Sequence, residues 1–107
     1  MDKPKTVRIV IADDHAIVHM GLRALFEPER DLDVVGEADD GNGAVEACQR
    51  LKPDVVIMDI LMPGMNGIEA TRAIRKASPG TKVLILTTSG VSDDLNAALS
   101  AGASGAP

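Results

Sequence analysis

Short aliphatic runs that close on polar residues constrain this chain more than any other feature. Ile9-Val10-Ile11-Ala12 closes on Asp13-Asp14, Val55-Val56-Ile57-Met58 closes on Asp59, and Val83-Leu84-Ile85-Leu86 closes on Thr87. Runs that stay apolar on successive residues suit strands covered on both faces, and such strands belong mainly to parallel sheets. Segments of helical periodicity lie between them, so strands and helices alternate. That order requires a parallel sheet with right-handed crossovers and helices on its two faces, an α/β doubly wound architecture.

Residue by residue, strand one covers 7–12. Asp14 is expected to cap a helix over 15–27, with Ile17, Val18, Leu22, Leu25 and Phe26 as its apolar stripe. A weaker strand covers 32–38, and Asp39-Asp40-Gly41-Asn42-Gly43 reads as a turn before a short helix over 44–51 that Pro53 stops. Strand three covers 54–59, followed by a loop at Met62-Pro63-Gly64-Met65. Asn66 and Glu69 resemble a capping box for a helix over 67–77. Strand four covers 82–87. Ser92 is then placed to cap a fourth helix, with Asp93 and Asp94 at its positive end and Gly102 as its stop.

At 107 residues the chain is one small domain, and its 45% apolar content supplies an aliphatic core with a single aromatic residue, Phe26. A net charge of −5 and the lack of Tyr and Trp exclude a basic or stacking nucleic-acid surface in this segment. No stretch approaches the roughly 20 apolar residues of a membrane span, and Met1-Asp2-Lys3-Pro4-Lys5 does not open a signal peptide. Cys48 has no partner for a disulfide and reads as a small helix filler. The expectation from these features is a cytoplasmic protein, since a lone cysteine suits a reducing compartment.

In open α/β sheets, ligands bind beyond the carboxyl ends of the strands. If strands one and three are neighbours, Asp13, Asp14 and Asp59 converge there. Like charges sharing a site resist ionising together, so the cluster calls for a hard cation and suits phosphoryl chemistry. A plainer account makes Asp13-Asp14 a helix cap and solvated turn, and treats Met58, Met62 and Met65 as packing. His15 and His19 stand four apart, half of a zinc motif, but no third ligand is in view. Solvation of a helix face or dimer contacts describe them better.

With these residues in place, the chain resembles a bacterial two-component response-regulator receiver domain, CheY-like in fold. The carriers are Asp13-Asp14-His15, Val34-Val35-Gly36-Glu37-Ala38, Pro53 through Asp59, Met62-Pro63-Gly64-Met65-Asn66-Gly67, Thr87 and Ala101-Gly102-Ala103-Ser104-Gly105. The Asp-Asp-His opening and Gly67-Ile68-Glu69-Ala70-Thr71 look most like the NarL/FixJ/LuxR-type subfamily, whose receivers precede a helix-turn-helix.

The resemblance implies strand order 2-1-3-4. It makes Asp59 the phosphoacceptor for a histidine kinase, and Asp13, Asp14, Asp59 and the Leu61 carbonyl the holders of Mg²⁺. Thr87 becomes the switch hydroxyl, bordered by Thr88 and Ser89. The module would control an attached DNA-binding domain, and would not be an enzyme beyond Mg²⁺-dependent self-phosphorylation and autodephosphorylation.

Receivers ordinarily continue into a fifth strand and helix, whereas this sequence ends at Pro107, with Ala106 at the aromatic switch position and no following Lys. The expectation is one domain over 1–107, incomplete at its C-terminus, with an exposed strand-four edge through which two copies pair. Two other functions compete. A nucleotide- or flavin-binding enzyme lacks its Gly-rich phosphate cradle, because the first turn reads Asp13-Asp14-His15-Ala16. A decoy that occupies a kinase or partner receiver without switching is the stronger alternative.

Overall fold

A computed structural model of the protein describes residues 6–59 and 67–86. Its elements run β1 (Val7–Ala12), α1 (Ala16–Phe26), β2 (Leu32–Ala38), α2 (Gly41–Leu51), β3 (Val55–Met58), α3 (Gly67–Ala77) and β4 (Lys82–Ile85). The strands form one sheet in the order β2-β1-β3-β4, and every pairing is parallel. This is the expected 2-1-3-4 order of the doubly wound fold. The expected fourth helix, with Ser92 at its start, lies outside the described residues.

Strand periodicity sorts the aliphatic residues onto two faces. Val10, Ala12, Val56, Met58, Val83 and Ile85 are fully buried and share one cluster with Ala44, Ala47 and Cys48 of α2 and Ala70 and Ile74 of α3. Ile9 and Ile11 are buried on the opposite face. Each large side chain buried in this way stabilises the fold by about 1.5–3 kcal/mol relative to exposure. The sheet centre is therefore rigid where the strands end, and the residues just beyond it are placed by that rigidity. Cys48 is a core filler as expected, and burial pushes its thiol up to about 11, far from the reactive thiolate range.

Three local expectations are corrected. Helix α2 starts at Gly41, not at residue 44, because Asp40 caps it: its side chain accepts from the Gly43 N–H at 2.7 Å. The glycines that look like a turn lie inside the first helical turn, where Gly43 leaves its Cβ space to Asp40 Oδ1 and Ala38. On α1, Val18, Leu22 and Phe26 are half-buried, but Ile17 and Leu25 are exposed. The helix turns about 100° per residue, so the inward stripe follows i, i+4, i+8 and excludes those two. Nor is Asp14 the cap of α1, because His15 occupies the N-cap position without a side-chain cap bond.

The end of the sheet where the strands begin is tied by cations and buried hydroxyls. Arg8 Nη1 donates to the Leu51 carbonyl at 2.6 Å and the Lys52 carbonyl at 3.1 Å, at the C-terminus of α2. Lys52, in the left-handed region at φ 47°, reaches the Ala77 carbonyl at the end of α3, 2.8 Å away. Positive charge at helix C-termini complements the helix dipole. Between these helices Thr81 Oγ1 donates to the Pro53 carbonyl at 2.7 Å, so the 2.6 Å contact from Ser78 Oγ uses the Ser78 proton.

Thr81→Val should leave the Pro53 carbonyl and Ser78 hydroxyl buried without their partner. A loss of about 1–3 kcal/mol in unfolding free energy is expected, read from urea denaturation with an unchanged m-value.

Candidate functional site

Strands β1 and β3 are neighbours in register, with Ala12 opposite Met58. The next residue of each chain is therefore an aspartate at the same height, at the carboxyl end of the sheet. The Asp59 N–H donates to the Ala12 carbonyl at 3.0 Å, and the Asp13 N–H donates to the Ala38 carbonyl of β2 at 3.0 Å. Both carboxylate residues are buried, at 3% exposure for Asp13 and 5% for Asp59. Asp14 follows on the exposed side.

These residues meet in one place. One ligand atom each from Asp13, Asp14, His15 and Asp59 lies within 4.8 Å of all the others. Asp13 Oδ1 accepts the His15 backbone N–H at 2.8 Å, an Asx turn that folds the chain back over its own carboxylate. The same turn brings His15 Nδ1 to 2.8 Å from Asp13 Oδ1 and 3.0 Å from Asp14 Oδ1. The hydrogen bond to Asp13, then the charges of Asp14 and Asp13, raise the His15 pKa above its usual 6.5.

The donor set fits a divalent cation. Carboxylate oxygens are hard ligands, and one or two of them plus water satisfy Mg²⁺ at about 2.0–2.1 Å. A cation would also relieve the repulsion that the aspartates otherwise impose on one another. His15 already screens that charge from the exposed side.

Sequence reasoning placed Asp13, Asp14 and Asp59 together, and the structure brings them together. It left His15 and His19 to helix-face solvation or dimer contacts, and both assignments are corrected. His15 precedes the helix and belongs to the acidic cluster. The signal that could have found it is the Asp-x-His spacing of an Asx turn at Asp13. His19 is buried, 8% exposed, with Nε2 at 2.6 Å from the Asp13 carbonyl and Nδ1 at 2.9 Å from Glu37 Oε1. Its partners come from other elements, so no local pattern announces it. The Leu61 carbonyl, Thr87, Thr88 and Ser89 lie outside the described residues, as do Met62 and Met65. Among the described residues no helix is long and apolar enough to cross a membrane.

Residues 9–106 match the response regulator receiver domain family. The chain is 41% identical over 97 residues to the transcriptional regulatory protein LiaR of Bacillus subtilis, covering 91% of this chain and 46% of that protein. It thus spans about half the length of such relatives. The signal receiver domain of NarL from Mycobacterium tuberculosis superposes with a TM-score of 0.91 at 36% identity, over 96% of this chain and 83% of that one. The isolated receiver domain of RcsB from Salmonella enterica serovar Typhimurium, solved with the phosphomimetic BeF3⁻, gives 0.86 at 30% identity, over 96% and 77%.

Two pH measurements check this electrostatic layout. In an NMR titration His15 should have its midpoint above 6.5, and Asp14→Asn or saturating Mg²⁺ should move it down. A midpoint unmoved by either would contradict the ion-pair geometry. Separately, the Arg23 guanidinium hydrogen-bonded to Glu37 holds that carboxyl below its usual 4.5, aided by His19 and opposed by burial. A lowered native value means that the stabilisation is present above pH 4.5 and lost as pH falls through the native value. Glu37→Gln should therefore flatten the acid limb of the urea midpoint below pH 4.5.

Proposed function

The chain belongs to the response regulator receiver domain family, and on that premise we propose that it takes a phosphoryl group on Asp59 from a histidine kinase. The observation that carries this reading is the convergence of Asp13, Asp14 and Asp59 at the carboxyl ends of adjacent parallel strands. Phosphoryl transfer demands positioning and charge neutralisation more than covalent machinery. The rigid ends of β1 and β3 supply the positioning.

In the reaction, an Asp59 carboxylate oxygen attacks the donor phosphorus in line with the departing imidazole nitrogen of the kinase. The P–N bond breaks, and an acyl phosphate forms on Asp59. Asp13 and Asp14 are the residues that would hold Mg²⁺, directly or through water, together with Asp59 and the Leu61 carbonyl. When bound, that cation neutralises the carboxylates and the incoming phosphoryl oxygens. By the family resemblance Thr87 would donate its hydroxyl to a phosphoryl oxygen, and Thr88 and Ser89, which follow it in the sequence, would tune how fast water hydrolyses the acyl phosphate.

We read residues 1–107 as a single receiver domain, of which the family model matches residues 9–106. Its relatives include proteins named as transcriptional regulators and about twice as long, which supports a receiver controlling a DNA-binding domain. Exchange with a histidine kinase would take place in the cytoplasm. Two copies paired through β4, the outer strand on that side of the described sheet, would make a dimer that light scattering detects.

Incubation with Mg²⁺ and acetyl phosphate should add one phosphoryl group to the intact mass. Asp59→Asn should abolish the increment, and Asp13→Asn should raise the Mg²⁺ requirement about tenfold or more. No increment in a folded protein that still binds Mg²⁺ and a kinase would favour the decoy instead.

A further inference from the structure

Behind the acidic cluster a row of polar side chains runs from α1 across β2 into the Asp13 backbone. We infer that His19 is a positioning residue for the cation site: it fixes the Asp13–Asp14 peptide, and through it the carboxylates that hold the ion. This rests on the reading of Asp13, Asp14 and Asp59 given above, and goes beyond it by adding a residue that touches neither ion nor phosphoryl group.

The hydrogen bonds define the role. A backbone carbonyl only accepts, so the 2.6 Å contact between His19 Nε2 and the Asp13 carbonyl requires Nε2–H to donate. On the far side of the ring, Nδ1 lies 2.9 Å from Glu37 Oε1. The other oxygen of Glu37 is held by Arg23 Nη2 at 2.8 Å. His19 and Arg23 are four apart on α1, hence on one face of the helix, and together they grip one carboxylate of β2. The exposed Asp39 carboxylate is 3.8 Å from Nε2, too long to compete with the carbonyl.

Asp13 is thereby anchored at both backbone groups. Its N–H donates to the Ala38 carbonyl, the neighbour of Glu37 on β2, and its C=O accepts from His19. That carbonyl belongs to the peptide that leads into Asp14. Rotation of the peptide would swing the Asp14 carboxylate away and open the Asx turn that holds His15 over the cluster. A buried polar ring between helix and sheet is costly unless it is bonded. Here one ring nitrogen bonds the peptide that joins the two metal-side aspartates, and the other meets the Glu37 carboxylate. His19 is outside the set of ligand atoms, so it acts only through Asp13.

The test measures Mg²⁺ affinity by calorimetry and the Mg²⁺ dependence of acetyl-phosphate labelling, on the whole chain. Partners that orient ligands typically contribute 10–100-fold in metal affinity. His19→Ala should raise the Mg²⁺ Kd about tenfold or more, while labelling at saturating Mg²⁺ returns towards the wild-type rate. His19→Arg, whose separate guanidinium nitrogens can donate to the carbonyl and to Glu37 together, should recover affinity; a merely space-filling role would not be rescued so.

In the wild-type protein the His19 Nε2–H should be an exchange-protected NMR signal that shifts on Mg²⁺ addition. This readout decides the matter if His19→Ala does not fold. A folded His19→Ala with unchanged Mg²⁺ Kd, or a wild-type Nε2–H indifferent to Mg²⁺, overturns the proposal while the Asp59 reading stands. Wild-type protein that binds no Mg²⁺ and gains no phosphoryl group overturns both.

Discussion

Repulsion among the carboxylates of Asp13, Asp14 and Asp59 is the constraint around which the rest of this domain is arranged. Two like charges 4 Å apart cost about 1 kcal/mol in water and about 4 kcal/mol near a protein surface. The sheet holds three of them within one small volume, and Asp13 and Asp59 are nearly fully buried. Such a cluster persists because the elements beneath it are stiff and because cationic or hydrogen-bonding groups surround it. His15 covers it from solvent, and His19 braces its backbone from within. A divalent cation is the natural complement to what remains.

The two ends of the sheet divide the electrostatic labour. Carboxylates gather where the strands finish, whereas Arg8 and Lys52 bond the C-terminal carbonyls of α2 and α3 where the strands begin. Between them the buried hydrophobic cluster of the described residues is aliphatic apart from Met58 and Cys48, and the buried Thr71 hydroxyl is taken up by the Gly67 carbonyl. An apolar slab of this kind transmits position but offers no alternative partner to a displaced charge. The chemistry stays at one end and the ties of α2 and α3 at the other, while α1 is held at the chemical end by His19 and Arg23.

Much of this was legible in the sequence, for a physical reason. Buried parallel strands need successive apolar residues, so Ile9 to Ala12, Val55 to Met58 and Val83 to Leu86 announced themselves. Asp13 and Asp59 were legible because they end such runs. Local chemistry misled where two outcomes share one composition: Asp39 to Gly43 suits a turn, yet Asp40 makes it the capped start of α2. The stripe on α1 was drawn too wide because hydrophobicity alone cannot say that Ile17 and Leu25 remain exposed. His15 and His19 were not legible in their roles, since their partners Asp13 and Glu37 meet them only through an Asx turn and a crossover connection. The family resemblance supplied what periodicity could not, namely the proposal that Asp59, among the three aspartates, receives the phosphoryl group.

A crystal structure grown with Mg²⁺ and beryllofluoride tests the central claim most directly. The account expects the ion among Asp13, Asp14 and Asp59, and the beryllofluoride on the Asp59 carboxylate, with the Asp13 carbonyl still bonded to His19. Beryllofluoride on another carboxylate, or a cation bound away from this cluster in a protein otherwise unchanged, would contradict it.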